Sequence, residues 1–525
     1  MPTFVTLAML VGLGMLIWDC VEVGRNDAAN LVNAVFGARV VRRRTAVLIA
    51  GVAVVLGASF SAPVMETTRK GLFDPTVLTI QMAVAIYVSV YFVDTVLLYG
   101  FSGFGMPVST TACLVFEVVG AALFLAGPKN ISWSKVGDVT LAIILSIAIT
   151  LTMSFLVMRV FRGAVRDKAD DRDTVLLHGP WIAGAILTWL TWFMVFKGLK
   201  NIELVNDLRE SIFKVYGDWV VLLAIWGIYT LFVHLILVST HQRGYKYLFS
   251  VTAILGMICM AFAFGQNDLA NAASPGLSSF TLWRHGGAPT DLANLGTEIP
   301  IPPWALFVCG LLMASGMLTK YAQRVTRAAV NTGSQFDHVS LYAPEWCQRF
   351  AHWCRTRGTP HEPLGPKVAL SETGKKIHYD TLRASVITGV SASVIAFASG
   401  LGLPVSTTYV AFAAVLGTGM SDRVFSRGDA DLKLGRAVWV VTCWFLTPVI
   451  AIVATGCVAI LVYQLSTAGL ALCLCLNLSV RAFFHRRADA HERRFHKEGH
   501  PADQEDGDMV TPSAERQPTA ESQPD

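Results

Sequence analysis

Long apolar stretches with few or no charges recur along this chain, at 45–65, 71–93, 139–158, 219–233, 247–267, 384–421 and 437–480. Further runs lie near 3–19, 106–126, 181–196 and 303–319. A bilayer core needs about 18 or more such residues per helical crossing, so the pattern predicts roughly a dozen membrane segments. Period-2 alternation in short segments, which a membrane β-barrel would show, is missing. The expected fold class is an all-α polytopic membrane protein. The first run has no basic residues before it and leads straight into polar residues, so it reads as a retained span and not a cleaved signal.

The polar positions that interrupt this pattern come in pairs. Gly24-Arg25-Asn26-Asp27-Ala28-Ala29-Asn30 recurs as Gly265-Gln266-Asn267-Asp268-Leu269-Ala270-Asn271, and Pro107-Val108-Ser109-Thr110-Thr111 recurs as Pro404-Val405-Ser406-Thr407-Thr408. Asp27 and Asp268 are 241 positions apart and Pro107 and Pro404 are 297 apart, so the second copy holds 56 extra residues between its motifs. Four segments follow. Residues 1–165 form a first transporter repeat, and 166–240 a connecting loop with membrane segments. Residues 241–480 form a second repeat with a cytoplasmic loop insertion at 331–380, and 481–525 a disordered cytoplasmic tail. Paired, Gly- and Pro-broken hydrophobic segments in matching halves point to a transporter's binding site.

Composition narrows the class. The chain is 53% hydrophobic and 15% charged, with a mean hydropathy of +0.52. Its net charge of +5 comes from basic loops, at 39–44, 159–172, 349–383 and the C-terminal tail, and calls for no nucleic-acid partner. Lys and Arg beside spans mark the cytoplasmic side, which places the 160–178 loop, the 322–383 loop and the C-terminus inside. The ten cysteines lack zinc-type spacing with matching partners and read as small buried hydrophobes.

On a helix, Asn26 and Asn30 share a face with Asp27 one step round, and Asn267, Asp268 and Asn271 repeat the arrangement. These residues are helix caps or a cation site. Buried carboxylates in a membrane are costly unless they meet a cation, a proton or a basic partner, and duplication favours the site. Carboxylate and amide oxygens suit a hard cation such as Na⁺ at Asp27 and Asp268. Before the second motif stand Gly103, Gly105 and Pro107, and likewise Gly400, Gly402 and Pro404. Gly and Pro end one helix and start another, which puts Ser109, Thr110 and Thr111, and Ser406, Thr407 and Thr408, in a first turn. The alternatives are a capped, kinked span and an anion site built from free N–H groups, hydroxyls and the helix dipole. Together the pairs describe a cation site beside a site for a tetrahedral oxyanion, as a symporter requires.

At these residues the chain resembles the inorganic phosphate transporter (PiT) family, whose signatures are a Gly-Ala-Asn-Asp-Val-Ala-Asn and a Gly-x-Pro-Val-Ser-Thr-Thr-His segment in each half. The similarity extends to Thr67-Thr68-Arg69-Lys70-Gly71, Gly310–Gly316, Gln323-Arg324-Val325 and Trp444-Phe445-Leu446-Thr447-Pro448. The resemblance implies two inverted repeats with broken or re-entrant half-helices and import of inorganic phosphate with Na⁺ or H⁺. It also implies a multi-pass cell-membrane location (the inner membrane in a bacterium) and, often, a homodimer. By the same motifs Asp27, Asn30, Asp268 and Asn271 take coupling roles, and Ser109, Thr110, Thr111, Ser406, Thr407 and Thr408 look like phosphate ligands.

The chain departs from the family at Arg25, Gln266, Ala112, Tyr409 and Val54, and carries Asp94 and Glu117 where the family is usually neutral. Arg25 is open to three readings: pairing with Asp27 or another carboxylate, touching the anion, or snorkelling to an interface. Glu117 is either a proton-coupling carboxylate or a structural partner in the bundle. No nucleotide-binding Gly-x-x-x-x-Gly-Lys-Ser/Thr loop and no clustered catalytic set occurs, so neither a pump nor an enzyme is expected, and no cofactor. Sulfate is the alternative substrate. Sulfate only accepts hydrogen bonds whereas protonated phosphate also donates one, so a carboxylate beside the anion favours phosphate.

Overall fold

The computed structural model describes residues 3–61, 64, 72, 78–199, 202–240, 243–284, 303–336, 338–339, 341–356, 377–426 and 428–498. The Thr67–Gly71 stretch lies outside them. Among the described residues, fifteen helices carry the fold. The first half holds α1 (Thr3–Gly37), α2 (Arg43–Ala58), α3 (Ile80–Gly103), α4 (Thr110–Ala126) and α5 (Trp133–Val165). The connecting part holds α6 (Arg172–Leu190, continued as a π-helix over Thr191–Gly198), α7 (Glu203–Tyr216) and α8 (Asp218–Ser239). The second half holds α9 (Leu248–Arg284), α10 (Pro303–Gly316), α11 (Lys320–Thr332), α12 (Glu345–Thr356), α13 (Thr381–Gly400), α14 (Thr407–Ser421) and α15 (Ala430–Glu498).

Eight of these helices are long and apolar enough to cross a membrane, or nine if α10 and α11, bent by 68°, count as one broken span. Roughly a dozen segments were expected, and the number among the described residues is lower for two reasons. α4 and α14 are half-length, at 17 and 15 residues, and α15 merges two helices across a break at Ser466, which has φ 50° and ψ −120°. A full crossing needs about 20 helical residues, so neither half-helix spans alone.

The two repeats run in opposite directions. The end of α1 meets the start of α13, where the amides of His378 and Tyr379 donate to Gly37 O. Ser385, one turn into α13, donates to Phe249 O at the start of α9. At the far end Trp283 of α9 reaches Thr6 of α1 at 3.3 Å. α1 and α9 are therefore antiparallel, which is the inverted arrangement.

Each half also packs by exchanging partners with the other. A Cβ added to Gly24 of α1 would lie 1.8 Å from Met313 O of α10, and one on its counterpart Gly265 of α9 would lie 2.3 Å from Val54 O of α2. The same exchange joins α4 to α15 and α14 to α5. A Cβ on Gly120 would fall 2.3 Å from Ile452 O, and one on Gly417 would fall 2.5 Å from Leu151 O. In lipid, where no hydrophobic force separates helix from solvent, small residues drive association by letting backbones meet. Val54, the neutral departure from the family pattern, is thus part of the wall against the second Asn-Asp segment.

The breaks before the two Ser-Thr-Thr segments use glycine for its backbone freedom. Gly105 and Gly402 occupy positive φ, at 66° and 70°, where a side chain would be strained. The chain turns there, and Ser109 and Ser406 then cap new helices, their side chains accepting from Ala112 N and Tyr409 N. At the end of α5, Arg162 forks to Asp422 (3.0 and 2.9 Å) and to Asp380 (2.5 Å). Burial raises the Asp380 carboxyl, but the Arg162 guanidinium beside it outweighs burial and holds it below the usual carboxylate range.

The tail expectation is corrected too. Residues 481–498, expected to be disordered from 481 onward, continue α15 as helix. Arg481 is buried against Glu22 at 2.5 Å, and Asp489 pairs with Arg324 at 2.7 Å, so this end of α15 is fastened to α1 and α11. The loop insertion at 331–380 contains α12, whose Arg355 pairs with Asp431 at the start of α15.

Candidate functional site

The four motif segments converge at the centre of the bundle, and all twelve residues expected there are at most 4% exposed. Asp27 Oδ1 accepts from Asn26 (3.1 Å), Asn30 (2.7 Å) and the Thr408 hydroxyl (2.7 Å). Asp268 Oδ1 accepts from Asn267 (3.4 Å), Asn271 (2.9 Å), Thr110 (3.0 Å) and Thr111 (3.3 Å). In these bonds the hydroxyl pairing is crossed: Thr408 of the second repeat donates to Asp27, and Thr110 and Thr111 of the first donate to Asp268, while Thr110 and Thr407 also approach the Asp of their own repeat.

Backbone contacts lock the same crossing. Asn26 donates to Val108 O at 2.6 Å and Asn267 to Val405 O at 2.7 Å, each within its own repeat. Thr408 reaches Val108 O at 3.1 Å and Thr111 reaches Val405 O at 2.9 Å, from the other repeat. Asn30 donates to Thr408 at 3.0 Å and Asn271 to Thr111 at 2.8 Å. The broken helices bring this about. Because α4 and α14 begin in mid-protein, their first-turn hydroxyls face the middle of α9 and α1.

The unused atoms of the site are nearly all oxygens. Asp27 Oδ2, Asp268 Oδ2, Asn271 Oδ1 and Thr407 Oγ1 are buried with no hydrogen-bond partner among the described residues. Buried polar atoms normally find partners, because an unmade bond costs about 1–3 kcal/mol. Three of these are acceptor oxygens, two of them from carboxylates, and with the Thr407 hydroxyl beside Asp268 they fit a hard cation. Ser109 and Ser406 accept bonds from their own helices, and the Ser109 hydroxyl also meets that of Tyr409.

The two flanking departures point away from this centre. Arg25 pairs with Glu22 at 2.6 Å, lies over the Tyr99 ring and donates to Thr319, so of its three readings the pairing with another carboxylate holds. Gln266 donates to Gly198 O, where the π-helix ends. Tyr409, in place of the family's histidine, stacks on Trp444 at 4.0 Å and is committed to packing. Glu117 is fully buried two turns into α4, beside Asp94 and Cys113.

Asp19 and Glu22 were missed from sequence. They sit on α1 one and two turns before Asn26, and their spacing of three and four to the next polar residue continues the motif's face. That periodicity was the available signal.

Two antiparallel repeats of spanning and broken helices, closing on a buried set of carboxylates, amides and hydroxyls, define a membrane transport protein. The chain belongs to the phosphate transporter family, whose model matches residues 23–336 and 364–455. It is 29% identical over 465 residues to a Thermococcus kodakarensis protein named "Putative phosphate permease", covering 86% of this chain and 97% of that one. A Haemophilus influenzae protein of the same name is 24% identical over 432 residues, with 81% and 89% covered. A solved structure described as "The sodium-dependent phosphate transporter" superposes with a TM-score of 0.64 at 20% identity, covering 88% of this chain and 98% of that one, which shows a shared fold. The family is one of transporters, not an enzyme class.

Proposed function

We propose that this protein imports inorganic phosphate by symport with Na⁺ or H⁺, through alternating access around the crossed Asp–Thr centre. The observation that carries this reading is that the two Asn-Asp segments and the two Ser-Thr-Thr helix starts meet in one buried site, each Asp bonded to the other repeat's threonines.

Phosphate is bound by Ser109, Thr110, Thr111, Ser406, Thr407 and Thr408, at two helix N-termini whose dipoles favour an anion. The cation is bound by Asp27 and Asp268 with the Asn26, Asn30, Asn267 and Asn271 amides. With no cation, the Asp carboxylates hold the threonine hydroxyls as donors. A cation on the carboxylates takes over that neutralising role and releases the hydroxyls to donate to phosphate oxygens. Cation binding therefore precedes or accompanies phosphate binding, which is the coupling a symporter needs. Because the site is buried from both sides, entry and exit require one repeat to move against the other.

Phosphate is favoured over sulfate by the carboxylates beside the hydroxyls and by Arg25 being engaged with Glu22, away from the site. A protonated phosphate has a donor for those carboxylates, whereas sulfate does not. The test is uptake of labelled phosphate and labelled sulfate into proteoliposomes, with and without a Na⁺ or pH gradient. Gradient-stimulated phosphate uptake is expected. Sulfate uptake that phosphate does not compete away contradicts the substrate assignment.

A further inference from the structure

The two repeats match at the crossed centre but differ in what lies beyond it. In the first repeat a second polar group packs about 10 Å further along α4, since Glu117 is seven residues past Thr110 and on the same face. Glu117, Cys113 and Asp94 each offer a ligand atom within 4.8 Å of the others. Neither oxygen of Glu117 has a hydrogen-bond partner among the described residues, although the residue is fully buried. Asp19 of α1 and Asp94 of α3 also bring their carboxyls within hydrogen-bonding reach of one another. Two carboxylates only accept, so that contact becomes a bond only when one of them holds a proton.

The second repeat has nothing of the kind. At the motif offsets, Asp19 and Glu22 correspond to Met260 and Ala263, and Asp94, Cys113 and Glu117 to Ser391, Val410 and Ala414.

The other ionisable groups around this space are accounted for. Glu22 is bonded by Arg25 and Arg481. Arg481 also donates to Thr95 O and lies over Trp18 and Tyr99; it bonds Glu22, and its field reaches Asp19 beyond it. Tyr91 donates to Ala272 O and accepts from Gly276 N. Cys20 of α1 and Cys309 of α10 face each other. Among the described residues no cationic side chain forms an ion pair with Asp19, Asp94 or Glu117, and the thiol of Cys113 is a poor ligand for a hard metal ion. A proton is the cation this chamber suits.

We infer that Asp19, Asp94 and Glu117 form a proton-binding chamber confined to the first repeat, which loads a coupling proton on the approach to the phosphate site. This rests on the transport reading above and specifies its coupling ion. The chamber lies toward the end of α1 opposite Gly37, and Gly37 contacts the basic 322–383 loop that is placed inside. On that orientation the chamber is on the outer approach, where an imported proton arrives.

The test uses the full chain with two readouts. In infrared difference spectra of the purified protein, acid–base titration moves a carbonyl band of buried protonated carboxyls, and Glu117→Gln removes part of it. In proteoliposomes with outside pH fixed, an interior about one pH unit more alkaline raises phosphate accumulation by up to about tenfold per coupled proton. Glu117→Gln and Asp94→Asn bring that ratio close to one, and Glu117→Asp restores part of it.

A band unmoved by Glu117→Gln, or a gradient ratio in that variant equal to that of the unmodified chain, overturns the proposal. So does a band discharged by Na⁺ at constant pH, which identifies a metal cation. Phosphate exchange at equal pH on both sides separates the two readings. Exchange by the unmodified chain without a gradient response leaves transport standing and removes the chamber. Absence of exchange removes the transport reading, and the infrared band then still decides the chamber.

Discussion

The first and second repeats are alike at the centre they build together and unlike beyond it. At the centre, Asp27 with Thr408 and Asp268 with Thr110 and Thr111 make nearly the same bonds, although they come from opposite halves. Outside the centre, the first repeat carries Asp19, Glu22, Asp94 and Glu117, and the second has neutral residues at the matching positions. Duplication keeps what both halves must build together. A residue outside that shared centre is free to diverge, so function specific to this chain is to be sought in the asymmetric part.

The largest effect expected is on the shared centre. Asp27→Asn and Asp268→Asn each remove a charge and turn an acceptor of several bonds into an amide. Bonds to charged groups are worth about 1.5–3 kcal/mol, so either change lowers coupled phosphate uptake at least about a hundredfold. The protein stays inserted and folded, as gel filtration in detergent checks. Equal losses from both variants support equivalence of the halves; normal transport by either breaks it.

A smaller, also paired effect is expected from Gly24→Ala and Gly265→Ala. Each added Cβ meets a backbone carbonyl of the partner repeat, and such overpacking costs about 1–3 kcal/mol. Both variants should melt at lower temperature in detergent by similar amounts. A large drop in one only would show that the exchanged packing is unequal.

The smallest effect is the most specific to the crossing. Thr408→Val removes a donor to Asp27, and Thr111→Val removes one to Asp268, each about 1 kcal/mol. In double-mutant cycles on thermal stability, Thr408 couples to Asp27 and Thr111 to Asp268, by about 0.5–3 kcal/mol. Thr111 with Asp27 should be close to additive.

Much of this was legible in the sequence, for physical reasons. Intramembrane Asp and Asn are too costly to keep without a role, so Asn26, Asp27, Asn30 and their copies stood out against an apolar background. Gly105 and Gly402 announced the breaks because positive φ is open to few other residues. The exchange of partners was not legible. A motif repeated in both halves gives no sign of whether Thr408 meets Asp27 or Asp268, since that depends on how the antiparallel repeats dock. Glu22, the partner of Arg25, lies three residues before it on the same helix and was within reach of periodicity; its second partner Arg481 was not, because the two come together only when α15 folds back on α1. The length of α4 and α14 was not legible either, since their composition is that of a membrane helix while their length is not.

The central claim is that a cation on Asp27 and Asp268 releases the threonine hydroxyls for phosphate. Phosphate affinity of the purified full chain, measured by calorimetry across Na⁺ concentration and pH, tests it most directly. Linkage makes the coupling reciprocal, and a coupling of about 1–3 kcal/mol appears as roughly 5–150-fold tighter phosphate binding when the cation is present. That gain should vanish in Asp27→Asn. Phosphate affinity unchanged across both Na⁺ and pH would contradict the account.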